Sequence, residues 1–166
     1  MQEKNTEKTS ESVVKFFPII LPALAILGAI IQIVIKGSGV VETLLVYLLA
    51  AIGIGGIWAF MGHWFKSGDV AKSIGWATGS GFQKEIAMTN LGIGVAGIMC
   101  IWFRGDFWMA VVIMYAIFAL GAAYGHIQDR YKNNNLAPGN WGPILWLSDI
   151  ALPLIIICLF IIYRWG

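Results

Sequence analysis

Five apolar stretches, each close to the length a helix needs to cross a bilayer, leave this chain little freedom of fold. They cover residues 16–35, 44–65, 86–103, 107–127 and 144–163, and the hydrocarbon layer asks for about 20 residues of helix. Charged residues make up 12% of the 166-residue chain, half the roughly 25% of soluble domains. The expected class is all-α, an integral membrane bundle of five transmembrane helices.

The connection 66–85 is the longest, and every other linker is short. One bundle follows, with neither internal repeats nor a soluble domain. The domain reading is a polar cytoplasmic tail over 1–15 and a single transmembrane domain over 16–166. The tail, "MQEKNTEKTSESVVK", alternates Glu and Lys and is expected to be solvated and partly helical. A cleaved signal peptide would carry a shorter apolar run and a small-residue cleavage site. The first helix is therefore expected to be retained.

Lys and Arg near helix ends favour the cytoplasm. With the N-terminus inside, the inner face holds Lys4, Lys8, Lys15, Lys66, Lys72, Lys84, Arg130 and Lys132, and the outer face Lys36, Arg104 and Arg164. N-in/C-out in the cell (inner or plasma) membrane is the expected topology. Trp and Tyr favour the interfaces, so Trp102, Phe103, Phe107, Trp108, Tyr163 and Trp165 mark one boundary. Trp64, Phe65, Trp141 and Trp146 mark the other. The lipid bilayer is the expected partner. A net charge of +2 gives no ground for nucleic acid. Five helices are few for a stand-alone transporter, so transport would require a homo-oligomer.

In that topology the polar residues gather at one end. His63 ends helix two, Gln83, Glu85 and Asn90 open helix three, His126 and Asp129 close helix four, and Asp149 opens helix five. Small residues mark close helix contacts in lipid. Gly53, Gly56 and Ala59 lie on the face of His63, and Ala87, Gly94 and Gly97 lie on that of Gln83 and Asn90. Ala119 and Ala122 share the face of His126, with Gly121 and Gly125 as an adjacent small pair. The expected site is an inward pocket of His63, Gln83, Glu85, Asn90, His126 and Asp149, open to the cytoplasm, because ionisable groups within spans usually face the bundle interior. Pro153 cannot donate to the carbonyl of Asp149, which leaves an acceptor beside that carboxylate.

Local signals add detail. "SGDVAKSIGW" reads as a short interfacial helix between helices two and three, with Val70, Ile74 and Trp76 on lipid. Ser80 and Gln83 fit a capping box, and Glu85 suits the positive helix end. Asp129 and Arg130 read as solvated end charges, and Pro138-Gly139 as a type II turn. Cys100 and Cys158 read as packing thiols, with their adjacency undetermined by spacing.

"SIGWATGSGFQKEIAMTNLGIG" and "GAAYGHIQDRYKNNNLAPGNWGPILWLSDIALPL" resemble an uncharacterised family of small bacterial and archaeal membrane proteins, the domain of unknown function 6790. The resemblance covers residues 45–160. It rests on Ile74-Gly75-Trp76 through Gln83 and Glu85, on Gly125-His126, and on Ala137-Pro138-Gly139-Asn140 with Asp149. Family members often carry proline where this chain has Thr78 and Gly81. The resemblance implies a multi-pass membrane protein and brings no activity with it.

No phosphate loop, nucleophile elbow or HExxH is present, so the sequence leans away from an enzyme and requires no cofactor. The expected function is a pocket that moves or senses protons or a small solute. An alternative is a membrane-embedded enzyme or electron carrier. There His63 and His126 would hold haem axially, or join Asp149 and Glu85 around a divalent metal. A structural bundle locked by its polar cluster is a further alternative.

Overall fold

The computed structural model describes the backbone of residues 2–166 and the side chains of residues 16–166. Every regular element among them is helical: α1 (Gln2–Lys36), α2 (Val40–Phe65), α3 (Ser67–Ile74), α4 (Phe82–Met99), α5 (Asp106–Asn133), a π-helical segment (Leu145–Ala151) and α6 (Leu152–Trp165). Among the described residues, four stretches are long and apolar enough to cross a membrane: Phe16–Lys36, Val40–Phe65, Asp106–Asn133 and Leu145–Trp165. The third expected span, realised as α4, is not among them, because Gln83, Lys84, Glu85, Thr89 and Asn90 crowd its 18 residues. The backbone of the expected tail is helical from Gln2 and continuous with the first span.

Helix α2 is the hub, packing on α1, α3, α4 and α6. Its seam with α4 is made by glycines. A Cβ added at Gly53 would lie 2.5 Å from the Ile98 amide nitrogen, and one at Gly97 would lie 2.6 Å from the Gly53 nitrogen. Gly56 and Gly94 face each other in the same way, at 2.8 Å. Backbone therefore touches backbone, the arrangement small residues permit in lipid. The pairing of Gly53 with Gly97 and Gly56 with Gly94 makes the two helices antiparallel. Gly121 and Gly125 do not behave this way. An added Cβ at either meets nothing within 4 Å, so the expected small pair on α5 is no helix contact.

The packed core fills the end of the bundle away from His63. Leu45, Leu49, Ile52, Ile93, Val111 and Ile156 belong to it, together with Trp108. Trp108 was expected at an interface, yet it is 0% exposed. Its Nε1 donates to the Cys100 carbonyl at 2.8 Å, and its ring lies 5.0 Å from that of Tyr163. Buried indole needs a partner for its N–H, and the unwinding end of α4 supplies one. Trp102 and Phe103 are exposed, as interfacial aromatics are. The same end also holds a polar pair that hydropathy does not reveal: Tyr47 donates to Gln32 Oε1 at 2.9 Å, its ring lying over Gly28. Glu42 pairs with Arg104, and Arg164 with Asp106, both at exposed positions where ion pairs contribute little. Cys100 is buried, Cys158 is exposed, and both are free thiols.

Candidate functional site

The end carrying His63 and His126 is hollow. A cavity of about 1620 Å³ opens between α1, α2, α5 and the π-helical segment. Its floor is the top of the core, at Ile52, Ile93 and Leu152. Helix α1 packs on α2 and touches the π segment, with no packed interface to α5, so these two helices act as separate walls. His63, Gln83, Asn90, His126 and Asp149 all line this cavity. Glu85 does not; it is exposed, and its carbonyl accepts from Thr89 one turn on.

The start of α4 explains part of the polar collar. Gln83 does not close a capping box. Its Oε1 sits 2.7 Å from His63 Nδ1, while Ser80 Oγ accepts from the Phe82 amide at 3.3 Å. The N-cap position of α4 is Gly81, which has no side chain to cap with. Lys84 turns back as well, donating to the Trp64 carbonyl at the end of α2 and resting 4.3 Å above the Trp64 ring. A cation there also suits the negative end of the α2 dipole. These residues fasten α4 to α2 rather than capping their own helix. Asn90 continues the stripe, sending Nδ2 to the Ile86 carbonyl at 2.9 Å.

His126 is held by a residue that helical spacing does not connect with it. Asn140 is 0% exposed. Its Nδ2 donates to the His126 carbonyl at 3.3 Å and the Asn135 carbonyl at 3.1 Å. Those two acceptors fix the amide orientation, so Oδ1 faces His126 Nδ1 at 2.8 Å. His126 Nδ1 must then carry the proton, and in the neutral ring Nε2 is an acceptor. Trp76 stacks on the imidazole at 5.2 Å between centroids and 21° between planes.

Around this pair the loop after α5 docks onto the end of α3. Trp76 Nε1 donates to Asp129 at 2.8 Å, and Asn133 and Asn135 each donate to the same carboxylate at 2.6 Å. Asp129 is thus a partly exposed charge near the end of α5 that also serves as a docking hub. Trp76, expected on lipid, is exposed and belongs to the loop network as well. Arg130 donates to Asn134, with its guanidinium 5.7 Å from the Trp141 ring. The turn at Pro138-Gly139 is not type II, since Gly139 lacks the positive φ that type requires. Glycine is needed there for space: its N–H donates to the Ser73 carbonyl at 2.9 Å, and a Cβ would stand 2.7 Å from that oxygen.

Asp149 sits in the π-helical segment. Leu152 N–H reaches back five residues to Leu147, so the next acceptor in that register is Ser148, and Pro153 has no N–H to offer it. Tyr115 on α5 donates its hydroxyl there, at 3.2 Å. The wider register therefore shifts the expected orphan carbonyl from Asp149 to Ser148. The Asp149 side chain makes no hydrogen bond or ion pair among the described residues.

The donors do not assemble into a metal cage. Among the described residues, no three His, Cys, Asp or Glu side chains come together as ligands, and both Nδ1 atoms are engaged by amides. The proposed metal set including Glu85 is broken by that residue's position outside the cavity.

The three sequence pieces that meet here are the Gly75-Trp76 collar, Gly125-His126, and Ala137 through Asn140. A family model spans all of them, matching residues 15–166. The chain belongs to DUF6790, a family of unknown function. No curated protein and no solved structure matches it. For this DUF6790 chain the match takes in the first span as well, which the resemblance over 45–160 left out. Its motif residues are bound to one another: Gly75 has φ +80°, and a Cβ there would strike Asn135 Oδ1 at 2.7 Å. Asn140 is absent from the expected pocket, although it closes the Ala137-Pro138-Gly139-Asn140 piece on which the resemblance rests.

Proposed function

We propose that this DUF6790 protein is a non-enzymatic, multi-pass membrane protein whose pocket binds protons or a small solute, to move or sense them. The carrying observation is Asp149: a carboxylate without a protein partner among the described residues, in the same cavity as His63 and His126. Ionisable groups at such depth are costly and tend to mark ion or solute sites. The filled core below the cavity argues for a pocket closed at one end rather than an open pore.

Five spans, N-in and C-out, complete the reading. Helix α4 rises about 27 Å at 1.5 Å per residue, and its glycine seam runs antiparallel along the spanning α2. A chain that crosses in α2 and returns beside it crosses again in α4. Lys66, Lys72, Lys84, Arg130 and Lys132 lie around the mouth of the cavity or at the helix ends beside it, which favours a cytoplasmic opening. Helix α3, with its Lys72 end against the docked loop, then lies at that interface.

Proteoliposomes containing a pH-sensitive dye test the reading, with topology read from a C-terminal reporter. Proton flux above empty liposomes, abolished by both Asp149→Asn and His126→Gln in folded protein, is the expected result. Flux equal in wild type and both variants, accompanied by a lower melting temperature, would instead assign the polar cluster to helix locking. A cytoplasmic C-terminus would overturn the topology.

A further inference from the structure

The hydrogen bonds already made around the cavity limit what it can hold. Most polar groups of the cavity are already engaged within the protein: His63 with Gln83, His126 with Asn140, and Ser148 Oγ with the Pro18 carbonyl at 3.1 Å. Tyr115 donates its O–H to the Ser148 carbonyl, and Asn90 Nδ2 places one of its two N–H groups on the Ile86 carbonyl. What remains is mainly acceptors, the Asp149 carboxylate, His126 Nε2 and Asn90 Oδ1, with the second Asn90 N–H as a donor among them. The remaining cationic donors, Lys66 and Lys72, are exposed at the rim, with Asp69 beside them and Gln83 Nε2 nearby. The walls are aromatic and apolar. Phe17 and Trp58 stack at 5.2 Å, and Tyr115 and Phe118 continue the lining.

We propose that the cavity takes a hydrophobic organic ammonium ion, its N–H groups on Asp149 and the neighbouring acceptors and its apolar body against the aromatic walls. This rests on the pocket reading above. An anion would meet the carboxylate without a deep countercharge. A polyhydroxylated neutral solute would bury hydroxyl groups against apolar walls, where each unpaired group is costly. An ammonium gains a charge-assisted hydrogen bond and favourable placement over ring faces.

Three probes of one shape separate these outcomes: 4-phenylbutylammonium, 4-phenylbutanol and 4-phenylbutyrate. Each is titrated calorimetrically into the full chain in phosphatidylcholine nanodiscs. The ammonium should bind at least roughly tenfold tighter than the other two, a difference one charge-assisted contact can supply. Asp149→Asn should erase that preference, Asp149→Glu should keep most of it, and Glu85→Gln, off the cavity, should leave it unchanged. Equal binding of the three probes, or a preference that survives Asp149→Asn, overturns the proposal. Labelling of Ala122→Cys by a water-soluble maleimide reports the pocket independently. Labelled protein without ammonium preference sinks this inference alone, and unlabelled protein that binds no probe sinks the pocket as well.

Discussion

Ser148 Oγ donates to the Pro18 carbonyl at 3.1 Å, joining residues 130 positions apart in sequence. That carbonyl is free because its helical donor would be the N–H of residue 22, which is proline. Ser148 in turn has a carbonyl that Pro153 cannot serve, and Tyr115 serves it. Two proline-orphaned acceptors are thus satisfied by hydroxyls in one chain running α5, π segment, α1. Prolines within apolar helices are tolerated on this condition. The arrangement also fixes the π segment that carries Asp149 against the first span.

Removing the hydroxyl should weaken that tie by a measurable amount. Ser148→Ala is expected to cost about 0.6 kcal/mol and at most about 1.7, the range for side-chain hydrogen bonds between helices in membranes. In a Pro22→Ala background the Pro18 carbonyl regains a helical donor, so the same change should cost less. Melting curves in detergent for the four-member cycle check the coupling; additive effects would argue against the tie.

The α2–α4 seam predicts a sharp contrast between glycines. Gly53→Ala places a methyl 2.5 Å from backbone that cannot yield without separating the helices, and overpacking of this kind costs about 1–3 kcal/mol. Gly121→Ala meets open space and should be neutral or stabilising, since alanine is favoured over glycine in a helix by about 1 kcal/mol. Thermal melts of the two variants should differ in sign or nearly so.

Asn140→Ala should free the loop and His126 together. Three hydrogen bonds, two buried and one partly buried, lose a partner, and each buried group left unpaired costs about 1–3 kcal/mol. Nitrogen NMR of the imidazole should report protonated Nδ1 in the wild type and a mixture of tautomers in the variant. Proteolysis of the chain between α5 and the π segment should accelerate in step.

Trp108 and Trp102 offer a paired test of burial. Trp108→Phe leaves the buried Cys100 carbonyl without its donor and should destabilise by about 1–3 kcal/mol. Trp102→Phe, at a site 69% exposed, should stay within about 0.5 kcal/mol of wild type. A reversed order in detergent melts would contradict the packing described for that end of the bundle.

Hydropathy and three-and-four spacing located most helix ends to within about four residues, missing the extension of α1 back to Gln2 and of α5 on to Asn133, and placed His63, Asn90, His126 and Asp149 on elements that bring them to one cavity. Those are properties of single segments, set by where apolar side chains recur and where prolines and charges interrupt them. Spacing could not say what each polar group meets. Gln83 read as a cap because a capping box is local, whereas His63 reaches it from another helix. Trp108 and Trp102 look alike in sequence, and only the neighbouring turn of α4 makes one core and the other surface. Gly53 and Gly121 are equally small, but backbone stands opposite one and empty space opposite the other. The π register around Asp149, and the burial of Asn140 against His126, arise from contacts between distant segments. Such contacts depend on which helices become neighbours, a choice made by the packing of the whole bundle.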